Sequence, residues 1–307
     1  AGTTANPLAP NTDYEDLRAA VLRVLKSRGS DAALASLQRQ VTRHPELAGV
    51  CHAVAHDLGH AALQAARGNA AAAMDARNDV CGGGFIHGVV EAALADSKHP
   101  VHDLMRICGP ANDGTCWHGV GHGAMFAGHY RVDLAEALCA RAPSARLVGR
   151  CAEGVYMQLF TLDDGAGGSH VAGPEFVPPN SANAPATCAH AGSAFAGACW
   201  FYAPTLVLQE KPEHWATALH WCAQQAAGLP RDQCTAGVGS RLIKHHPDDV
   251  PYAAKMCRAA APRVRGRCLA GMGSYWRVHW HGTKNRISVC DHLHAPDLVA
   301  ECRSVNA

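Results

Sequence analysis

The sequence predicts an all-α fold: a solenoid of about seven helical hairpin repeats, each stapled by a disulfide. Three observations predict it. Alanine and glycine are abundant while aromatic residues make up 6% of the chain, a composition suited to closely packed helices rather than a β-sandwich. Seven cysteines (Cys81, Cys116, Cys151, Cys199, Cys234, Cys268 and Cys302) recur at intervals of 35, 35, 48, 35, 34 and 34 residues. That period is the length of a helix–turn–helix repeat. The order inside each unit is also steady. A cysteine opens one helix, as in Cys151-Ala-Glu-Gly and Cys268-Leu-Ala-Gly, and a second helix ends on another, as from Asp133 to Cys139 and Trp215 to Cys222.

Taken in order, residues 1–13 read as a flexible lead-in. The polar Ala1–Pro10 stretch is what removal of a secretory signal is expected to leave. A helix is expected from about Tyr14 to Lys26, and Ser30 or Asp31 can cap a second that runs to Arg43. Residues 14–302 are read as one domain. Its repeats begin at about 45, and those at 45–161 carry the chemistry described below. A Gly/Pro/Ser/Asn-rich insert at about 163–187 accounts for the one long interval, and repeats at 188–302 act as scaffold. Long loops on such arrays often line the binding face, so the insert is expected to cover the pocket as a lid.

The spacing also suggests cysteine partners. Cys108–Cys116, Cys139–Cys151, Cys188–Cys199, Cys222–Cys234, Cys257–Cys268 and Cys290–Cys302 lie 8–12 residues apart, each joining the end of one repeat to the start of the next. Cys51 and Cys81 remain and are expected to pair. Fourteen cysteines, an even number, point to an oxidising compartment, secreted or periplasmic. No Cys-x-x-Cys occurs, which argues against zinc ribbons. A net charge of +1 offers no nucleic-acid footprint. No apolar run approaches the roughly 20 residues that span a bilayer.

With its period, paired cysteines and Cys-x-x-Gly starts at Cys116, Cys151, Cys234 and Cys268, the stretch from 45 to 302 resembles cysteine-stapled Sel1-like or tetratricopeptide-like repeats. The resemblance implies stacked antiparallel helix pairs with one concave surface.

Function is written in histidine. Residues i and i+4 of a helix share a face, about 6 Å apart. His56 and His60, His87 and Glu91, and His118 and His122 are three such pairs, and His56, His87 and His118 recur every 31 residues. His52 extends the first row by one turn. Neighbouring helices about 10 Å apart can bring the three pairs together, with Glu153 from the next helix. Later units keep the helix and lose the ligands. The positions of His118 and His122 become Phe201 and Thr205, Ala236 and Ser240, then Ala270 and Ser274. The fold therefore does not demand histidine there.

The candidate metal ligands are His56, His60, His87, Glu91, His118, His122 and Glu153. Seven ligands are too many for one ion, so two transition-metal ions are expected. Mixed imidazole and carboxylate favours iron, with copper or zinc as alternatives. These spacings and this ligand list resemble the di-iron site of hemerythrins. The layout is also similar to deoxyhypusine hydroxylase, whose stacked repeats present His and Glu to two irons. Both are likenesses of site, and they imply a secreted oxidoreductase that activates dioxygen on a small-molecule or peptide substrate. Glu91 or Glu153 would bridge the ions, and Tyr156 could supply a hydrogen bond or an electron. A di-zinc or mixed-metal hydrolase is the first alternative. A non-catalytic metal-binding or partner-docking repeat protein is the second. Gly-x-Ser-x-Gly and His-Glu-x-x-His are both missing. His190 could reach the site. Trp200, Trp215, Trp221, Trp276 and Trp280, with His245, His246, His279, His281, His292 and His294, are read as core or surface residues.

Overall fold

The computed structural model describes residues 12–75, 80–95, 97–109, 113–161, 176–279 and 288–306. The lead-in before residue 12, most of the expected insert (162–175), Trp280 and His281 lie outside the described residues. Among the described residues every regular element is helical. The chain groups into two compact units, Ala1–Pro178 and Pro179–Ala307. The boundary falls inside the insert, within the stretch that the sequence treats as one domain.

The first unit contains α1 (Thr12–Arg43), α2 (Ala48–Ala65), α3 (Ala70–Ala73), α4 (Gly84–Ala95), α5 (Pro100–Cys108), α6 (Gly114–Ala127), α7 (Val132–Cys139) and α8 (Ala145–Phe160). Gly29, at φ +82°, breaks α1 between its two expected helices, because a residue without Cβ adopts that angle cheaply. Leu17, Val21, Leu34 and Leu37 form a core with Val54, Leu58 and Val89. α2 packs on α4, α4 on α6, and α6 on α8.

Glycine sets how closely these helices cross. A Cβ on Gly59 would overlap the Phe85 carbonyl oxygen of α4, and one on Gly88 would overlap the His56 carbonyl oxygen of α2. The α6–α8 crossing repeats this reciprocity. Gly121 meets the Cys151 carbonyl and Gly154 the His118 carbonyl. On its other side, α6 offers Gly119 to His87 Cα and Gly123 to Leu94. Each glycine costs about 1 kcal/mol of helix propensity relative to alanine, and the close approach offsets it.

The second unit contains α9 (Ala184–His190), α10 (Ala196–Tyr202), α11 (Pro204–Glu210), α12 (Trp215–Ala223), α13 (Leu229–His245), α14 (Val250–Met256), α15 (Pro262–His279) and α16 (Pro296–Asn306). α13 packs between α10 and α15. The same notches recur: Gly237 on the Phe201 carbonyl, Gly239 on that of Cys268, and Gly271 on that of Ala236. Trp215 and Trp276 are buried in this core and Trp221 packs against it.

All seven disulfides pair as the spacing suggests: Cys51–Cys81, Cys108–Cys116, Cys139–Cys151, Cys188–Cys199, Cys222–Cys234, Cys257–Cys268 and Cys290–Cys302. No cysteine is free. Such cysteine usage marks an oxidising, extracytoplasmic environment. No helix among the described residues is long and apolar enough to cross a membrane.

Candidate metal centre

α2, α4 and α6 each turn histidines toward a common point. His52 and His56 come from α2, His87 from α4, and His118 and His122 from α6. All five are buried. The glycine notches bring the helices close enough for the rings to touch. The His87 and His118 rings stack at 4.4 Å, and those of His56 and His122 lie 4.9 Å apart.

One donor atom from each of His52, His56, His87 and His122 lies within 4.8 Å of the other three. A metal–nitrogen bond of about 2.0–2.1 Å puts ligands at right angles about 2.9 Å apart, tetrahedral ones about 3.4 Å and opposite ones about 4.2 Å. The Nε2 atoms of His52 and His56 are 3.1 Å apart, inside that range. Measured against opposite ligands, a pair 4.8 Å apart closes around one ion with a side-chain shift of about half an ångström.

Three of these imidazoles are held from behind. His52 Nδ1 donates to the Cys81 carbonyl at 2.7 Å, His56 Nδ1 to Glu91 Oε2 at 2.7 Å, and His122 Nδ1 to Gln158 Oε1 at 2.8 Å. Gln158 Nε2 in turn donates to the Tyr130 hydroxyl at 2.7 Å, which fixes the amide. A proton on Nδ1 leaves the Nε2 lone pair facing inward, the arrangement by which metal-binding histidines are oriented. The Cys81 carbonyl is aimed by a left-handed run, Cys81 at φ 57°, Gly82 at 68° and Gly83 at 80°. Two glycines make that run affordable.

Burial keeps His87, His118 and His122 neutral. Burial pushes His87 well below the usual imidazole range, and its neighbours His118, His52, His56 and His122 add to the shift. Burial, with Arg150 next, does the same to His118. His122 falls to about 4, from burial and then from His56. Burial alone would raise Glu91, but hydrogen bonds from His56 and His60 outweigh it and hold the carboxyl at about 2. His87 Nδ1 and Nε2, His118 Nδ1 and Nε2, and His122 Nε2 are buried without a hydrogen-bond partner. Leaving such atoms unpaired costs roughly 1–3 kcal/mol each, and five of them rival a whole net stability of about 5–15 kcal/mol. A cation held by His87 and His122 would remove that cost for one nitrogen of each.

The remaining expected ligands sit elsewhere. Glu91 is fully buried but lies on the far edge of the His56 ring, away from the donor that faces the centre. His60, 32% exposed, stands at the rim with Nε2 3.4 Å from Glu91 Oε1. Its charge-assisted contact raises it above the ordinary imidazole range, although burial opposes this. Glu153 is paired with Arg150 and lies 3.8 Å from His118 Nδ1. Tyr156 donates its hydroxyl to Glu136 at 2.7 Å. His190 is exposed and bonds the Ala186 carbonyl of its own helix. His52, Gln158 and the Cys81 carbonyl were not in the sequence-based ligand set. His52 carries the i, i+4 signal, whereas Gln158 and the carbonyl carry none. No protein-family model, curated protein or solved structure matches the chain.

Proposed function

We propose that this is an extracytoplasmic metalloprotein that holds one transition-metal ion on the imidazoles of His52, His56, His87 and His122. One observation carries the reading: three inward-facing imidazoles, each fixed through Nδ1, share a buried centre with a fourth whose ring nitrogens have no hydrogen-bond partner. The recurring glycine-notched crossing supports reading each unit as stacked helical repeats. All cysteines are in disulfides, so no thiolate competes for the ion.

The donor set bears on the metal and on the chemistry. The sequence favours iron through its carboxylate ligands. With Glu91 behind His56 and Glu153 held by Arg150, the centre is all imidazole, which favours copper or zinc. A two-ion centre would need Glu153, where the Arg150 guanidinium already supplies a cation. Catalytic zinc sites generally keep three protein ligands and an open position, so four buried imidazoles favour holding or electron exchange over hydrolysis. A copper ion would supply one-electron chemistry; the chain's residues fix its ligands, exclude water and place Glu91 as counter-charge.

The test is metal content of the oxidised, folded protein by elemental mass spectrometry, followed by copper and zinc titration of the chelator-stripped chain. One ion per chain, lost in His56→Ala and His122→Ala, is the expected result. An unmodified chain that binds neither ion refutes the proposal.

A further inference from the structure

The metal centre has five buried imidazoles and uses four. We propose that the fifth, His118, is a transfer ligand: it receives an incoming ion from Glu153 and hands it to His87 and His122, and it is absent from the final coordination set. The inference rests on the reading of His52, His56, His87 and His122 as a metal site.

Position comes first. The His118 ring lies 4.4 Å from that of His87 and 5.0 Å from that of His122, yet its donors fall outside the group that meets within 4.8 Å. Its tethering differs too. His52, His56 and His122 are each tied through Nδ1, while both nitrogens of His118 are buried without a hydrogen-bond partner. An untethered imidazole can swing without breaking a bond, which suits transfer and not a fixed site. On its outer side, His118 Nδ1 lies 3.8 Å from Glu153 Oε2, on a side chain 34% exposed. Carboxylate oxygen at the surface is a ready first contact for a hydrated cation. Arg150 holds that carboxylate when no cation is there.

The other rim residue leads nowhere comparable. His60 is 32% exposed and reaches Glu91. Glu91 is committed to His56 Nδ1 at 2.7 Å, so an ion arriving there meets the back of the His56 ring. The transfer itself is ligand exchange. The hydrated cation would first exchange a water for the Glu153 carboxylate in place of Arg150; the bond to Glu153 would then give way to one to His118, and that bond and the remaining waters to those to His87, His122, His52 and His56. No electron moves, and Arg150 is released at the first step.

Cobalt(II) uptake by the chelator-stripped chain, followed by its ligand-field absorption in a stopped-flow instrument, tests this. His118→Ala and Glu153→Gln are expected to end with the stoichiometry and spectrum of the unmodified protein. Both should load slower by about tenfold, which is about 1.4 kcal/mol on the barrier to loading. Arg150→Gln should load faster. Glu153 is partly exposed, so Glu153→Gln keeps the test alive if His118→Ala does not fold. Unchanged rates in both variants overturn the proposal. So does a changed final spectrum in His118→Ala, which would make His118 a resident ligand. So does slow loading in His60→Ala with normal loading in Glu153→Gln, which would put the way in at His60. An unmodified chain that takes up no cobalt, zinc or copper refutes the site itself, a separate result.

Discussion

Replacing Glu91 with glutamine separates a ligand from a counter-charge. Glu91 is fully buried, accepts from His56 Nδ1 at 2.7 Å and, at a pKa of about 2, is ionised under all ordinary conditions. The glutamine amide oxygen can keep the bond to His56, so the ring stays oriented and only the charge is lost. From the carboxylate oxygen across the ring to an ion on Nε2 is about 6.5 Å, for which an effective dielectric of about 20 gives at most about 5 kcal/mol with a dication. Changes to such outer partners cost about 10–100-fold in affinity, roughly 1.4–2.7 kcal/mol. We therefore expect Glu91→Gln to bind zinc at least about tenfold more weakly in competition with a chromophoric chelator. Its cobalt(II) ligand-field spectrum should be unchanged. Unchanged affinity would mean that the carboxylate does not act on the centre. A changed spectrum would mean that Glu91 coordinates the ion, as the sequence first implied.

Three further predictions concern the scaffold. Acid should unfold the metal-free chain early. His122 has a folded pKa of about 4 against about 6.5 unfolded, so the unfolded state binds the extra proton between those values and stability falls as pH drops through that window, by about 3 kcal/mol for this group alone; a urea midpoint flat from pH 7 to 4 would contradict this. Gly88→Ala drives a methyl into the His56 carbonyl and should cost about 1–3 kcal/mol or more together with metal affinity, while Gly149→Ala, with nothing within 4 Å, should gain up to about 1 kcal/mol of helix propensity; equal thermal shifts would refute the notch. Removing Cys51–Cys81, a 30-residue closure, should cost about 3–4 kcal/mol in the chain-entropy model and also weaken metal binding, because Cys81 carries the carbonyl that holds His52; a double-serine variant with normal affinity would exclude the second effect.

Some of this was legible in the sequence because it is periodic. Cysteine spacing leads directly to all seven pairs, since a staple between the end of one helix and the start of the next repeats with the unit. The histidine spacing places His56, His87, His118 and His122 together. It misses which two of His52, His56 and His60 face inward. Successive i, i+4 steps drift about 40° around a helix of 3.6 residues per turn, so a ladder of three cannot all point at one spot. The end that wins is set by the Cys81 carbonyl, a backbone atom placed by a left-handed turn. Glu91 and Glu153 share faces with ligands, yet a carboxylate that lies one turn along can reach the back of a ring or a nearby arginine. Spacing alone does not separate these outcomes.

The internal repeats also separate the histidines from the packing of the helix crossings. A glycine of one helix seats on the carbonyl of His56 at the α2–α4 crossing, of His118 at α6–α8, of Phe201 at α10–α13 and of Ala236 at α13–α15. The contact is to the backbone, so the side chain at that position is unconstrained by the crossing. In the second unit it is Phe201 or Ala236, both partly buried, and the Phe201 ring lies under the Arg241 guanidinium. In the first unit the same kind of crossing carries neutral imidazoles with unpaired nitrogens, which a methyl or phenyl group would avoid at no cost to the notch. A scaffold that folds with alanine at this position in the second unit, and carries histidine there in the first, supports the proposal that those imidazoles hold an ion. In the transfer route proposed above, Arg150 and Glu153, on the next helix along, mark the side of entry.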